Sequence, residues 1–224
     1  MEKKIFFDDS KGNKVSAIFS NPSDEIVPVI ILCHGLNSGK NSNTNLALEK
    51  VFSKHDIASF RFDFFAHGES EGKIDDRNIE IFVDDVLCAI SYLKNQGFTK
   101  FGICGASLGG VASVIAATRS NDLKVMALKS TGMGHTSRIM QNFKHDFDTK
   151  SWIKAATNVS IPTLIVHGSA DEDVELQLAE DLAASIKTTK FQIFDGADHR
   201  FSRHEDFENS VKMISDFIIS NIKT

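Results

Sequence analysis

The six residues Gly105-Ala106-Ser107-Leu108-Gly109-Gly110 constrain this chain more than any other stretch. An apolar run, Phe101-Gly102-Ile103-Cys104, precedes them, and a helix-compatible run from Val111 to Ala117 follows. Strand, glycine-flanked serine, helix is the pattern of a nucleophile elbow, a turn so tight that the serine adopts a strained backbone conformation. Larger side chains at the flanking positions would collide with the neighbouring strand or helix, which accounts for Gly105 and Gly109. The turn lifts the Ser107 hydroxyl above the sheet at the start of a helix, whose free N–H groups favour developing negative charge. Gly-x-Ser-x-Gly arises readily by chance, so the rest of the chain must supply the other parts such a serine needs.

The order of apolar runs sets the architecture around that turn. Ile5 to Asp8 and Val15 to Ser20 read as two strands joined by Asp9-Ser10-Lys11-Gly12-Asn13, a hairpin signal. Pro28 to Cys33 is continuously apolar, as expected of a strand buried on both faces. Asn45–His55 reads as a helix, Ile57–Asp63 as a strand, and Ile79–Lys94 as a long helix with Ile79, Phe82, Val83, Val86, Ile90 and Leu93 on one side. After the elbow strand and its helix come strand Lys124–Lys129, strand Pro162–His167, helix Val174–Ile186, strand Lys190–Phe194 and helix Phe207–Ile222. Strands alternating with helices after a hairpin imply an α/β fold around a mostly parallel eight-stranded sheet. Gly132–Ser160 is the irregular part, with weak helical patterns at Thr136–Phe143 and Thr149–Asn158, and is expected to form a short cap after the sixth strand.

Length and charge narrow the class. The 224 residues suit one substantial core, so a single domain over 1–224 is expected, with 132–160 as the cap insertion. A net charge of −5 and scattered basic residues give no electrostatic argument for nucleic acid or an anionic membrane. Cys33, Cys88 and Cys104 all sit in apolar runs, which suits buried thiols in a reducing compartment and not a disulfide framework. The N-terminus lacks a continuous apolar h-region, and the longest apolar run, about Val27 to Cys33, is too short to span a bilayer. A cytoplasmic protein is expected. No histidine–carboxylate spacing resembles a metal motif, and Gly105–Gly110 has neither the spacing nor the lysine of a nucleotide loop, so no metal or cofactor is expected.

An activated serine needs a base, an acid that orients the base, and N–H donors for the oxyanion. Of eight histidines, His199 in Gly196-Ala197-Asp198-His199-Arg200-Phe201 directly follows the last strand and is the expected base, with His204 in reserve. His34 and His167 end apolar strands before glycine, which suits structural hydrogen bonding. His67 lies in a turn that it could order, and His55 and His145 sit in charged helical surroundings that suit solvation. The loop Gly168-Ser169-Ala170-Asp171-Glu172-Asp173 offers three carboxylates. Asp173 abuts the expected helix start and suits an N-cap, and Glu172 suits a solvated loop position, leaving Asp171 as the orienting acid. Asp198, beside the base in sequence, cannot easily fold back onto the same ring. The order Ser107, Asp171, His199 is then serine, acid, histidine. The oxyanion donors are expected to be the backbone N–H groups of Leu108 and Leu36, with Gly35 allowing close approach, although His34-Gly35-Leu36 also reads as a plain tight turn.

These residues resemble the α/β-hydrolase superfamily, and the resemblance runs from Ile5 to the end. Its landmarks come in order: His34-Gly35, Asp63 to Ser70, Gly105–Gly109 and Gly196–His199. Asp63-Phe64-Phe65-Ala66-His67-Gly68-Glu69-Ser70 is similar to the family's Asp-x-x-Gly-x-Gly-x-Ser loop, with Ala66 where glycine is usual. Within the superfamily, Gly68 to Lys73 and the helix after it are similar to bacterial cinnamoyl and feruloyl esterases. Gly35–Ser38 through Arg61-Phe62-Asp63 is similar to the acyl-protein thioesterase and acyl-glucuronide esterase group. Ser107 speaks against dehalogenases and epoxide hydrolases, which use aspartate there, and a prolyl-oligopeptidase-type peptidase would normally need a large accessory domain. The resemblance implies a serine hydrolase that cleaves a small-molecule carboxylic ester or thioester through an acyl-enzyme. Its rivals are a non-catalytic ligand-binding protein of this fold and a cofactor-free perhydrolase. Met133, Met140, Phe143, Phe147 and Trp152 are candidates either for the pocket wall or for packing of the cap, and a short cap suggests small acyl groups.

Overall fold

The computed structural model describes residues 2–133 and 149–223. Strands β1 (Glu2–Asp8) and β2 (Lys14–Ser20) form the hairpin, followed by β3 (Val29–Cys33), α1 (Asn43–Phe52) and β4 (Ala58–Phe62). Then come α2 (Ile79–Asn95), β5 (Phe101–Ala106), α3 (Leu108–Arg119), β6 (Leu123–Lys129) and α4 (Thr149–Ala156). The chain closes with β7 (Thr163–Gly168), α5 (Leu176–Ser185), β8 (Thr189–Phe194) and α6 (His204–Ile222). Among the described residues the strands form one eight-stranded sheet in the order β1-β2-β4-β3-β5-β6-β7-β8. β1 and β2 pair antiparallel, β2 meets β4 antiparallel, and every later pairing is parallel. The hairpin and the mostly parallel sheet are those expected from the sequence.

The parallel strands are buried on both faces because helices cover both sides, and period-2 alternation sorts their side chains between two cores. Val29, Ile31 and Cys33 of β3 join the larger core, with Phe82, Val83, Val86 and Leu93 of α2 and Val111 and Val114 of α3. Ile30 and Leu32 point the other way, onto Leu48 and Phe52 of α1 and Ile214, Ile218 and Ile222 of α6. In β6, Val125 and Ala127 face the α1–α6 side and Met126 and Leu128 the other. The cap candidates divide. Trp152 of α4 is 2% exposed in the larger core, while Met140, Phe143, Phe147 and the helical pattern at Thr136–Phe143 lie outside the described residues.

The turn after β5 has the conformation its sequence predicts. Ser107 sits at φ 51° and ψ −123°, a region that costs a non-glycine residue of order 1–3 kcal/mol. A Cβ on Gly105 would lie 2.6 Å from Gly109 O and 2.6 Å from the Gly110 Cα, inside α3. A Cβ on Gly109 would lie 2.3 Å from His34 O and 2.5 Å from Cys33 O, at the end of β3. One glycine therefore admits the helix and the other the strand. The obstruction at Gly109 is all backbone, so Gly109→Ala is expected to destabilise the protein by about 3 kcal/mol, at the upper end of overpacking costs. A thermal melt should show this as a drop of roughly 6–12 °C. An unchanged melting temperature would refute the packing account.

Candidate active site

Four loops at the carboxyl edge of the sheet converge on Ser107. After β3, the residue His34 is buried, and its Nε2 accepts from Phe64 N at 3.0 Å. Its Nδ1 therefore carries the proton, which it donates to Gly35 O at 2.7 Å. Burial pushes the imidazole down to about 4, so it stays neutral at ordinary pH. Ser38 N also donates to Gly35 O, at 3.1 Å, closing a tight turn. In a trans peptide the N–H points opposite its carbonyl partner, so these two bonds also aim the Leu36 N–H. Leu36 O in turn lies 2.6 Å from His67 Nε2, while His67 Nδ1 faces Phe65 O at 2.9 Å. A Cβ on Gly35 would sit 3.2 Å from the Ser107 Cβ, close enough that a side chain there would press on the serine.

The loop that holds His67 is braced by Asp63. Its carboxylate takes the Lys40 ammonium, the Lys40 N–H at 2.8 Å and the Glu69 N–H at 3.1 Å. Ala66, where the family motif has glycine, lies at φ 57°. That left-handed conformation is the physical reason for glycine there, and Ala66 holds it at a modest strain.

His199, on the loop after β8, places Nε2 3.1 Å from Ser107 Oγ and Nδ1 2.8 Å from Asp171 Oδ2. The Asp171 side chain is fully buried and that of His199 is 18% exposed. Asp171 Oδ1 accepts from Asp173 N at 3.0 Å and Val174 N at 2.8 Å, so both carboxylate oxygens are engaged. Asp173 is not the helix N-cap expected from the sequence. α5 begins later, at Leu176 behind Glu175, and Asp173 is an exposed residue of the loop whose turn Asp171 closes. His167 Nε2 donates to Val174 O at 2.9 Å and lies 3.3 Å from the same Asp171 oxygen that His199 uses. Asp198 turns away from the ring, its Oδ1 accepting from Ser202 N at 2.8 Å. His204 is exposed at the start of α6, and His55 is exposed beyond α1.

Sequence reasoning passed over β6's contribution. Ser130, at φ 47°, donates its hydroxyl to His199 O at 2.9 Å. Lys129 Nζ donates to Arg200 O at 3.4 Å and lies 4.2 Å from the centre of the Phe201 ring. Phe201, itself at φ 57°, packs edge-on against Phe194 at 5.1 Å. Together these contacts hold the loop that presents the imidazole. No local pattern in Leu128-Lys129-Ser130 marks this role. The one available signal was a charged residue closing the apolar run Val125–Leu128.

A cavity of about 800 Å³ opens above Ser107. Gly35, Leu36, Ser107, Leu108 and His199 line it, so the two expected oxyanion donors and the serine–histidine pair share one space. Met133 and Val174 supply apolar wall, while Asn37, Ser38, Ser42, Asn43, Thr44 and Ser202 supply polar wall. Leu108 is the first residue of α3, so its N–H belongs to the unpaired first turn of that helix. Chemically, the arrangement offers a hydroxyl hydrogen-bonded to an imidazole, a carboxylate on the far ring nitrogen, and a helix N-terminus beside the hydroxyl.

Comparison with known proteins places this geometry in context. The family model described as "Prolyl oligopeptidase family" matches residues 71–224, which include the elbow and the loops carrying Asp171 and His199. The uncharacterised protein YfhR of Salmonella typhimurium is 30% identical over 200 residues, covering 80% of this chain and 66% of that protein. The human alpha/beta hydrolase domain-containing protein 17B is 25% identical over 169 residues, covering 74% of this chain and 58% of that one. The chain thus spans about three-fifths to two-thirds of these relatives' length. Among solved structures, Est1E from Butyrivibrio proteoclasticus with bound ferulic acid superposes with a TM-score of 0.83 at 19% identity, covering 98% of this chain and all of that one. The esterase Pf2001 of Pyrococcus furiosus superposes at 0.81 and 16% identity, over 99% of this chain and 93% of the other.

Proposed function

This chain belongs to the prolyl oligopeptidase family and has the α/β-hydrolase fold, and from that premise we propose that it is a serine hydrolase of carboxylic esters. The matched residues carry Ser107, Asp171 and His199. The observation that carries the reading is the line Asp171 Oδ2, His199 Nδ1, His199 Nε2, Ser107 Oγ, with links of 2.8 and 3.1 Å. Ser107 Oγ attacks the ester carbonyl as His199 Nε2 takes its proton, and buried Asp171 holds the imidazole and stabilises the imidazolium. The Leu36 and Leu108 N–H groups receive the oxyanion. His199 returns the proton to the leaving alcohol, then activates water to release the acid from the acyl-enzyme. Thioesters follow the same course with a thiol as leaving group. The domain organisation proposed is one hydrolase domain over 1–224 with the cap at 132–160, and the proposed setting is the cytoplasm. No described helix is long and apolar enough to cross a membrane.

The family's description favours a second reading, cleavage of peptide bonds. The same acyl-enzyme serves both, but an amide needs its nitrogen protonated as it leaves and is the harder substrate. The test pairs 4-nitrophenyl esters of increasing acyl length with the matching 4-nitroanilides. Esters are expected to turn over and anilides to lag by several decades. Comparable rates on the two would favour the peptidase. Short acyl chains are expected to lead the ester series, because polar side chains break up the apolar wall on which each added methylene would gain. Rates that rise steadily toward long chains would sink that preference. Binding of the short esters with no turnover would sink the enzyme reading and favour a ligand-binding protein.

A further inference from the structure

We propose that the cavity over Ser107 takes an ester that carries a second, anionic oxygen group, a carboxylate or a phosphate, with Lys129 as its partner. The proposal deepens the ester-hydrolase reading and rests on it. Lys40, Arg61 and Lys129 are buried cations in this protein. Lys40 pairs with Asp63, and Arg61 Nε donates to Glu49 at 2.9 Å. Lys129, 4% exposed, has no carboxylate within salt-bridge distance among the described residues. It lines the cavity that holds Ser107 and His199.

An ammonium offers three N–H groups. Lys129 spends one on the distant Arg200 carbonyl at 3.4 Å and turns toward the Phe201 ring at 4.2 Å, and among the described residues no carboxylate hydrogen-bonds the rest. Leaving a buried charge without a partner is strongly unfavourable. Strand alternation sharpens the contrast. Val125 and Ala127 precede Lys129 on the same face of β6 and pack into the α1–α6 core, so an apolar residue would simply extend that core. Burial pushes the amine down to about 8 against the opposing pull of the more distant Asp198 and Asp171 carboxylates, and an oxyanion in the cavity would favour its charged form. At the exposed rim of the same cavity Arg200 is balanced by the carboxylates of Asp173 and Glu208, so Lys129 is the buried charge of its lining. A neutral ester leaves that buried ammonium unanswered.

The test compares the monoethyl esters of succinic, glutaric and adipic acids with ethyl butyrate, valerate and caproate by proton release. The best diacid monoester is expected to exceed its neutral counterpart about tenfold in kcat/KM, the size of one charge-assisted hydrogen bond. That ratio should collapse in Lys129→Met and persist in Lys129→Arg. No preference in the wild type, or a Lys129→Met protein in which both series fall together with the ratio intact, overturns the proposal and leaves Lys129 as a brace of the His199 loop. A binding arm separates this from failure of the hydrolase reading. Ser107→Ala protein is titrated calorimetrically with monoethyl glutarate, ethyl valerate and inorganic phosphate. Selective binding of monoethyl glutarate or phosphate, lost on adding Lys129→Met, upholds the subsite even if the wild type hydrolyses neither series, and the stronger of the two identifies the oxyanion. Equal or absent binding of all three overturns it.

Discussion

Ser107→Ala is expected to lower the turnover of a short-chain 4-nitrophenyl ester by about three decades or more, leaving only what the oxyanion donors and binding supply. The same change should abolish the single covalent adduct that a fluorophosphonate probe leaves on the wild type, read by intact mass. The hydroxyl lies 3.1 Å from the imidazole at the head of α3, and an alanine there keeps the turn while removing the attacking oxygen. Its Cβ occupies the same strained φ of 51°, so the melting temperature should stay close to that of the wild type. A variant within tenfold of the wild-type rate would mean that hydrolysis proceeds elsewhere. An unlabelled wild type would point instead to a binding protein.

Asp171→Asn is the second large effect, with a loss of roughly three to four decades expected. An asparagine fits the shape, and its amide oxygen can keep the bonds from the Asp173 and Val174 N–H groups at 3.0 and 2.8 Å. Its amide nitrogen then faces His199 Nδ1 as a donor where a carboxylate accepted. The imidazole is driven to the tautomer with its proton on Nε2, the atom that must receive the proton of Ser107. The fold survives, and the base is in the wrong form. Asp173→Asn, at an exposed loop position, should change the rate by no more than about threefold. Steady-state kinetics on the pair decide the matter: a harmless Asp171→Asn beside a crippling Asp173→Asn would reverse the assignment.

Much of this was legible along the chain because its determinants are local. The apolar run at β3 announced burial on both faces. The glycines around Ser107 announced a turn whose tightness the backbone contacts of Gly105 and Gly109 explain. The pairing of Ser107, Asp171 and His199 was legible from which loops a parallel sheet brings to one edge. Local reading failed where a helix start mattered. Asp173 looked like a cap because Val174 opened an apolar pattern, yet Asp171 claims the free N–H groups of Asp173 and Val174 and α5 starts two residues later than expected. His67 was legible as a turn residue but not as the partner of Leu36 O, 31 positions away.

By itself the sequence determined the elements, their alternation, the elbow and the short set of side chains able to act around it, since propensity, period and turn chemistry are properties of neighbouring residues. Tertiary structure alone decided which of those side chains meet. Ser107 and His199 are 92 residues apart, and their 3.1 Å contact depends on the register of four parallel strands and on Ser130 holding the His199 carbonyl. It also decided that Lys129, one more charged residue in the sequence, is buried near that contact with no carboxylate paired to it among the described residues, because the packing of α6 and the His199 loop over β6 closes water out there.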